Sequence, residues 1–260
     1  MLPVKPRVCA VNYLNTVPLV WGMLHGKEQD RFDLSFCIPS ECADRLQDGR
    51  ADIGIVPAIE VPRQHLVITA STGIVCHGPV RSILLISKVP FQQIQTVAAD
   101  SSSRTSVVLA EIILRKKYGA EPEMVSMPPQ LESMLQKCDA ALIIGDPALR
   151  IDPAHSPHTA LDLGAEWTAM TGLPFVFAVW GARRHYDPEP FSSSLKFGLD
   201  HIDEIVAREH AERGIAPELA REYLTRHIRF ELGPQERAGL ELFLEYAAEI
   251  RQTEPRTVSV

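Results

Sequence analysis

The sequence predicts an α/β protein built from two similar lobes, and three observations support this fold class. The chain has 260 residues, of which 45% are hydrophobic, so it is longer than a typical single domain and can bury a full core. Short apolar segments that suit buried strands alternate with segments of helical periodicity, as in parallel sheets with right-handed crossovers. A helix end, a turn and a buried strand occur at residues 46–56 and again at 135–143, which indicates a repeated α/β unit.

The first predicted strand leads into a polar segment. Residues 8–11 are apolar, and helical periodicity begins after Pro18, a residue that the first turn of a helix tolerates. The polar residues between them are Asn12, Tyr13, Asn15 and Thr16. Because ligands of α/β proteins bind outside the carboxyl ends of the strands, we expect the Asn15 carboxamide to face a ligand. The alternative is that Asn12 and Asn15 only hydrogen-bond the turn and cap the helix, and this segment alone favours that alternative.

The alternation of strands and helices continues through the first part of the chain. Ser40 is a good N-cap for a helix that runs through Leu46, and the buried strand at 51–56 is closed by Pro57. The other strands of this part are predicted at residues 32–38, 66–69, 72–76 and 81–87.

The same pattern restarts at residue 96. A strand at 96–99 leads through the polar segment 100–106 into a helix that ends at Gly119. The remaining strands are predicted at 123–127, 139–146 and 173–180, with a helix at 130–137 and core-covering helices near Phe191, Pro217 and Pro234. We therefore expect residues 1–88 and 181–260 to form a discontinuous lobe one, and residues 89–180 to form lobe two.

Charge and hydrophobicity argue against several classes of partner. The net charge is -7 at pH 7 and no run of Lys or Arg stands out, so we expect neither nucleic acid nor an anionic membrane as a partner. No apolar segment has the length of a membrane span, and residues 1–7 lack the apolar core of a signal peptide, which predicts a cytoplasmic protein.

The 5 cysteines are irregularly spaced, which indicates free thiols in a reducing compartment. The sequence makes no prediction of the oligomeric state.

Four hydroxyl residues stand at the start of the helix that follows residue 100. Ser102, Ser103, Thr105 and Ser106 lie where free backbone N–H groups and hydroxyls can bind carboxylates. The alternative role of this serine cluster is ordinary N-capping, which the residues alone favour.

Three further groups of polar residues have functional and structural interpretations. Ser82 either donates into a ligand site or is a hydrogen-bonded core hydroxyl, and Asp146 is expected to cap the helix that follows it. His155 and His158 have no third ligand nearby in the sequence and lie in a predicted loop, so we predict no metal site.

Five segments occur together in a characteristic order and spacing. They are Asn-Tyr-Leu-Asn-Thr-Val-Pro at 12–18, Val-Arg-Ser-Ile-Leu-Leu at 80–85, Ser-Ser-Arg-Thr-Ser at 102–106, Ile-Gly-Asp at 144–146, and Glu-Trp at 166–167 with Thr-Gly-Leu-Pro-Phe-Val-Phe at 171–177. As an ordered set they resemble the chorismate dehydratase family of the futalosine route to menaquinone, although each motif alone is weak. The resemblance extends from about Arg7 through the C-terminal helices.

This resemblance implies a fold, a substrate and a set of site residues. The family is similar in fold to type II periplasmic solute-binding proteins, in which two lobes, each a mostly parallel sheet flanked by helices, enclose a ligand cleft. Two strands cross between the lobes, which here suits residues 81–87 and 175–180. The implied substrate is chorismate, the implied catalytic residue is Asn15, and no cofactor is required. The implied substrate-binding residues are Tyr13, Ser82, Ser102, Ser103, Arg104, Thr105, Ser106, Gly145 and Asp146, of which Arg104 equally suits the protein surface.

The implied reaction removes water across C3 and C4 of chorismate and gives 3-[(1-carboxyvinyl)oxy]benzoate. The enzyme must hold a dianion and help hydroxide leave, and the sequence offers hydrogen-bond donors for this task. None of the 9 histidines falls in a resembling motif, so side-chain bases are scarce. We therefore hypothesise that a substrate carboxylate takes the C3 proton in a stepwise elimination, while Asn15 hydrogen-bonds the leaving hydroxyl or the developing enolate.

Three alternative functions remain open at this stage. The sister enzyme 1,4-dihydroxy-6-naphthoate synthase is expected to carry a Ser-Pro-Cys-Pro-Asn-Asp type first loop and a histidine base near the end of the second-lobe strand. This chain departs from both features, at 12–15 and at Gly145-Asp146. A non-catalytic small-anion-binding protein of a transporter predicts a signal peptide or lipoprotein cysteine, and a ligand-sensing module predicts a fused DNA-binding domain.

Overall fold

The computed structural model describes residues 5–253, which fold into two β-sheets covered by helices. The strands are β1 (Arg7–Val11), β2 (Asp33–Cys37), β3 (Ile53–Pro57), β4 (Val67–Cys76), β5 (Ile83–Ser87), β6 (Thr96–Asp100), β7 (Glu123–Met127), β8 (Ala140–Ile144), β9 (Thr159–Asp162), β10 (Phe175–Ala182) and β11 (Arg229–Glu231). The α-helices are α1 (Val17–His25), α2 (Pro39–Gln47), α3 (Glu60–Arg63), α4 (Thr105–Ile113), α5 (Leu131–Lys137), α6 (Gly145–Leu149), α7 (Leu163–Thr171), α8 (Glu189–Asp200), α9 (Ile202–Glu209), α10 (Pro217–Glu222) and α11 (Pro234–Thr253). A short 3₁₀ helix at Leu14–Thr16 precedes α1, and π-helical turns at Leu114–Tyr118 and Tyr223–His227 extend α4 and α10.

The two sheets are mixed rather than mostly parallel. The first sheet has the order β11-β4-β10-β3-β1-β2, with β1 parallel to β2 and β3, and with β10 antiparallel to β3 and β4. The second sheet has the order β7-β6-β8-β5-β9, with β6 parallel to β7 and β8, and with β5 antiparallel to β8 and β9. Two consecutive strands that pair in parallel must be joined by a crossover connection, usually a helix. β5 and β10 each follow a strand of the other sheet along the chain, and both pair antiparallel with their neighbours. The predicted two-lobed α/β class is confirmed.

The passage of the chain between the sheets differs from the prediction. Residues 81–87 and 175–180 were expected to cross between the lobes, but β5 pairs only within the second sheet and β10 only within the first. The chain changes sheet in the connection before β5 and in the segment before β10. Because β5 belongs to the second sheet, we propose that the first boundary between the lobes lies near residue 80, where residue 88 was predicted. We propose that the second boundary lies near residue 174.

Several local predictions are corrected by the structure. Ser40 does not cap α2, because Ile38 is the N-cap and Pro39 takes the first helical position. The two short strands expected at 66–76 form the single ten-residue strand β4. The edge strands β9 and β11 were missed, since both are short and only partly buried.

The core lies between the sheets and their helices. Strands β3, β5 and β8 are buried along their whole length, and the large side chains of Trp21, Trp167 and Trp180 are almost fully buried. None of the helices in the described part of the chain combines the length and the apolarity needed to cross a membrane. The carboxyl ends of β1 and β3 face the carboxyl ends of β6 and β8 across a cleft between the two sheets.

Candidate functional site

A cleft with an empty volume of about 570 Å³ lies between the two sheets. Its apolar lining includes Val11, Ile55, Ile74 and Phe177 from the first sheet, and Ile83 and Ile144 from the second. Its polar lining residues are Tyr13, Asn15, Thr16, Ser82, Ser103, Arg104, Thr105 and Ser106. An apolar floor with a few converging donors suits a small ring that carries anionic groups.

Asn15 is held by a hydrogen-bonded chain that reaches from the first loop to the second sheet. Its Nδ2 donates to the Tyr223 hydroxyl at 2.9 Å, and that hydroxyl donates to Ser82 Oγ at 2.8 Å. The Asn15 Oδ1 atom accepts a hydrogen bond from the Thr16 hydroxyl at 3.3 Å. Burial raises the pKa of Tyr223, so its hydroxyl keeps its proton and remains a donor. The orientation of the Asn15 amide is therefore fixed before any ligand binds.

Tyr223 is a site residue that the sequence interpretation missed. The helix from Pro217 was interpreted as core cladding, and Tyr223 is indeed fully buried. A buried tyrosine hydroxyl normally requires a hydrogen-bond partner, and this requirement was the one signal that could have indicated a polar role for Tyr223. The partners, Asn15 and Ser82, are distant in the sequence, so helical periodicity could not identify them.

Ser82 is positioned by the turn that enters the second sheet. Arg81 adopts a left-handed backbone conformation with φ of 67°, which is uncommon for a residue other than glycine. The Asp162 carboxylate stabilises this turn, because it accepts backbone hydrogen bonds from Val80 at 3.0 Å and Arg81 at 2.6 Å. The Ser82 carbonyl accepts a further bond from the Gly145 backbone N–H at 2.8 Å. Ser82 lines the cleft, but its side chain is also buried and accepts the Tyr223 hydroxyl, so the ligand-donor role and the core-hydroxyl role both remain predictions.

Asp146 does not cap the helix that follows it, contrary to the prediction. The N-cap of α6 is Ile144 and it makes no side-chain cap bond. The Asp146 carboxylate instead accepts the Leu14 backbone N–H at 2.9 Å and the Arg213 guanidinium at 2.6 Å. It is buried behind the first loop and is absent from the described cleft lining, and both of its oxygens are bound within the protein; its implied role in substrate binding stays a prediction.

Arg213 extends this contact to the other end of the first loop. Its guanidinium donates to the Asn12 carbonyl at 3.3 Å, to Asn12 Oδ1 at 3.3 Å and to Glu209 at 2.8 Å. Burial of the guanidinium opposes its charge, but the hydrogen bonds and charges of Asp146 and Glu209 outweigh this effect and raise the pKa of Arg213. Residues 12–14 are thus clamped between the second sheet and the segment after α9.

The hydroxyl cluster before α4 divides into two groups. Ser103, Arg104, Thr105 and Ser106 line the cleft, whereas Ser102 lies behind Tyr13. The Ser102 hydroxyl donates to Asp100 at 2.7 Å and lies 3.1 Å from the Tyr13 hydroxyl, so it is engaged within the protein. The N-cap of α4 is Arg104 without a side-chain cap bond, so the alternative of ordinary N-capping by these hydroxyls is not realised.

Arg104 and Thr105 also connect the two sides of the cleft. The Arg104 guanidinium lies 2.5 Å from Asp44 and 3.4 Å from Glu60, and Thr105 Oγ1 accepts the Ile59 backbone N–H at 3.3 Å. Because two carboxylates already face Arg104, its charge is largely compensated. The hydroxyls of the cluster are therefore the principal donors available to an anion.

Tyr13 and Gly145 pack against each other at the edge of the cleft. Gly145 has a φ of 63°, and a β-carbon at this position would lie 2.7 Å from the Tyr13 ring. Glycine is thus required here both by the backbone and by the aromatic neighbour. Burial raises the pKa of Tyr13 to about 12, so its phenol stays protonated at neutral pH.

A match to a family model covers residues 6–249, and that family is described as menaquinone biosynthesis. The chain belongs to this family. Within known proteins it is similar to the chorismate dehydratase of Thermus thermophilus, with 28% identity over 93% of this chain and 95% of that protein. The menaquinone biosynthesis family was the one that the five sequence segments indicated, so the recognition is confirmed.

Solved structures support the periplasmic-binding-protein-like fold of this family member. Protein AF1704 from Archaeoglobus fulgidus superposes with a TM-score of 0.77 at 18% identity, covering 97% of this chain and 100% of that chain. The periplasmic aliphatic sulphonate binding protein SsuA from Escherichia coli superposes with a TM-score of 0.63 at 14% identity, covering 96% and 88% of the two chains. At these identities the likeness concerns the fold alone.

The Asp146–Arg213 pair should contribute more to stability than an exposed ion pair of similar length. In a double-mutant cycle of Asp146→Asn and Arg213→Gln, we expect a coupling free energy of about 1–3 kcal/mol, measured by denaturant unfolding. The matched control is the exposed pair Arg7–Asp52 at 2.8 Å, for which we expect at most about 1 kcal/mol. Equal coupling energies in the two cycles would contradict the clamping role of Asp146.

Proposed function

We propose that this protein is a chorismate dehydratase, an enzyme that removes water from chorismate and forms 3-[(1-carboxyvinyl)oxy]benzoate. The C3–H and C4–O bonds break, water leaves, and the ring becomes aromatic. The observation that carries this proposal is the fixed amide of Asn15, which lies beside hydroxyl donors in a cleft whose described lining residues include no side-chain base. Family membership and the similarity to the Thermus thermophilus enzyme support the same reaction.

The hydroxyls at the start of α4 account for binding of a dianion by an acidic protein. Ser103, Thr105 and Ser106 line the cleft, and Ser82 faces the same space from the second sheet. A hydrogen bond to a charged group contributes about 1.5–3 kcal/mol, so three or four such bonds can offset the protein's net charge of -7. We propose that these residues hold the substrate carboxylates.

A substrate carboxylate is the proposed proton acceptor. Among the described residues that line the cleft, the only titratable side chains are Tyr13 and Arg104. Tyr13 remains protonated because its pKa is raised to about 12, and a guanidinium is not a base at neutral pH. A carboxylate of chorismate therefore takes the C3 proton, and the ring carboxylate accommodates the developing negative charge.

Asn15 is the proposed catalytic residue in the subsequent loss of hydroxide. One of its N–H groups is bound to Tyr223, which leaves the second N–H available for the leaving hydroxyl or the enolate. The amide carries no negative charge, so it donates to the reacting centre without repelling the dianion. Its fixed orientation means that little reorganisation is needed during the reaction.

The proposed activity is tested by incubating the purified protein with chorismate and identifying the product by mass spectrometry. We expect 3-[(1-carboxyvinyl)oxy]benzoate from the wild-type chain, and a loss of kcat of roughly 10²–10³ for Asn15→Ala and Asn15→Asp, as for a lost oxyanion-hole donor. Gln93→Ala, which removes an exposed amide far from the cleft, serves as the control and should retain full activity. If the wild-type chain binds chorismate without turnover, the result would instead indicate a small-anion-binding protein. If a folded Asn15→Ala variant has near-normal kcat, Asn15 has no catalytic role.

The source of the base is tested with a chorismate analogue that lacks the enolpyruvyl carboxylate. If this carboxylate takes the C3 proton, the analogue should still bind through its ring carboxylate but should turn over at least about 10²-fold more slowly, as when a general base is removed. The measurement is single-turnover kinetics at saturating enzyme, which separates binding from the chemical step. A normal single-turnover rate would assign proton removal to another group.

Tyr223→Phe tests whether Tyr223 positions Asn15. The change keeps the aromatic ring but removes the hydroxyl that joins Asn15 to Ser82, so we expect kcat to fall by about tenfold or more, with a smaller change in KM. In the double variant with Asn15→Ala, loss of the hydroxyl should add little, because both changes remove the same interaction. Tyr118→Phe is the matched control, since the Tyr118 hydroxyl bonds Glu166 away from the cleft. Full additivity of the two changes in kcat would show that Tyr223 acts independently of Asn15, and an unchanged kcat for Tyr223→Phe would leave Tyr223 with a role in stability alone.

A further inference from the structure

Three of the five cysteines come together beneath the first loop. Cys9 lies on β1, Cys37 ends the neighbouring strand β2, and Cys42 lies on α2, which covers this face of the sheet. Their sulfur atoms all lie within 4.8 Å of one another, and the Cys9 and Cys37 sulfurs are 3.0 Å apart. Cys9 and Cys42 are fully buried, whereas Cys37 retains 9% of its exposure. Because these cysteines are irregularly spaced in the sequence, no metal-binding motif was recognisable and no metal site was predicted.

The separation of the three sulfurs suits a single metal ion. With metal–sulfur bonds of about 2.3 Å, three sulfurs arranged in a triangle around one ion lie about 4 Å apart. The Cys9–Cys37 pair would have to open by about 1 Å, which rotation of the two side chains can supply. The partial exposure of Cys37 gives the entry path that a buried metal site requires.

The identity of the donors selects the class of ion. The donor set contains only cysteine sulfur, and no His, Asp or Glu ligand atom joins the group among the described residues. Zinc in structural sites is almost always bound by four ligands, whereas soft thiolates also select monovalent copper. A buried site with three sulfur donors and no fourth side chain therefore favours a soft ion of low coordination number.

The surroundings of the cluster favour a thiolate at Cys9, whereas the Cys42 thiol donates to the Cys9 carbonyl at 3.1 Å and must release its proton when a metal binds. The Arg45 guanidinium lies 3.9 Å from the Cys9 sulfur and 3.1 Å from Ser35 Oγ, and it is held in place by Glu41 at 2.7 Å. A nearby guanidinium stabilises a thiolate relative to a thiol. We propose that Cys9, Cys37 and Cys42 form a binding site for one Cu(I) ion.

The site is also connected to the loop that carries Asn15. The Cys37 carbonyl accepts the Asn12 backbone N–H at 2.9 Å, and Asn12 is in turn contacted by Arg213. An ion that fixes Cys9 and Cys37 would therefore tie the middle of β1 to the end of β2, below this loop. Metal binding is expected to raise the melting temperature of the whole protein for this reason.

The test is anaerobic titration of the fully reduced, full-length protein with Cu(I) in competition with bicinchoninate, a chromogenic Cu(I) chelator. We expect the wild-type chain to retain one equivalent of copper, with three sulfur neighbours at about 2.3 Å by X-ray absorption. The Cys37→Ala variant should bind at least tenfold more weakly, and Cys9→Ala/Cys37→Ala/Cys42→Ala should retain none. Cys138→Ala, which removes a buried cysteine outside the cluster, should bind as the wild type does.

Circular dichroism and melting temperature of the copper-free variants show whether each chain is folded. If the triple variant does not fold, the single change at Cys37, the most accessible cysteine of the three, still decides the outcome. The proposal is overturned if the wild-type chain loses all copper to the chelator, if Cys138→Ala weakens binding as much as Cys37→Ala, or if only two sulfur neighbours are found. Tighter binding of Zn(II) than of Cu(I) in a parallel titration would also overturn it.

Discussion

The buried carboxylate of Asp146 is the interaction on which the geometry of the cleft depends. It joins three parts of the chain that are remote in the sequence, because one oxygen accepts the Leu14 backbone N–H and the other accepts the Arg213 guanidinium. A carboxylate at this depth is expensive to bury unless it is paired and hydrogen-bonded, and here both oxygens have partners. The first loop, the second sheet and the segment after α9 are consequently held in one arrangement.

This arrangement allows an otherwise weak donor to act at a defined place. An asparagine in a free loop would sample several rotamers, and ordering it on ligand binding would cost conformational entropy. In this fold Asn15 is fixed by Tyr223, Tyr223 is fixed by Ser82, and the turn at Ser82 is fixed by Asp162. Each residue in this series of hydrogen bonds is thus pre-organised by the next, and the series connects the two sheets that form the cleft.

Sequence reasoning predicted the fold class and most strands because these depend on local periodicity and on turn residues. It also placed Asn15 and the hydroxyls before α4 after the carboxyl ends of strands, where ligands of α/β proteins bind, and it placed Ser82 on a strand. It did not predict Tyr223 or Arg213, because the contacts that connect them to the first loop and the second sheet are with residues between 67 and 208 positions away. It could not separate Ser102 from Ser103 either, since neighbouring side chains in a turn point in different directions and only the three-dimensional structure shows which hydroxyl is already engaged.

The distribution of charge explains why a protein with a net negative charge can offer a site for an anion. Three carboxylates near the cleft are paired with guanidinium groups: Asp146 with Arg213, Asp44 with Arg104, and Glu60 with both Arg104 and Arg63. Apart from the paired Arg104 guanidinium, the polar side chains that line the cleft carry hydroxyls and an amide, which donate hydrogen bonds without a charge of their own. Burial keeps both tyrosines of the site protonated, so neither becomes an anion that would repel the ligand at neutral pH. Under the proposed function, such a site would hold a dianion by dipoles at short range, and the substrate's own carboxylate would be the strongest base in the cleft.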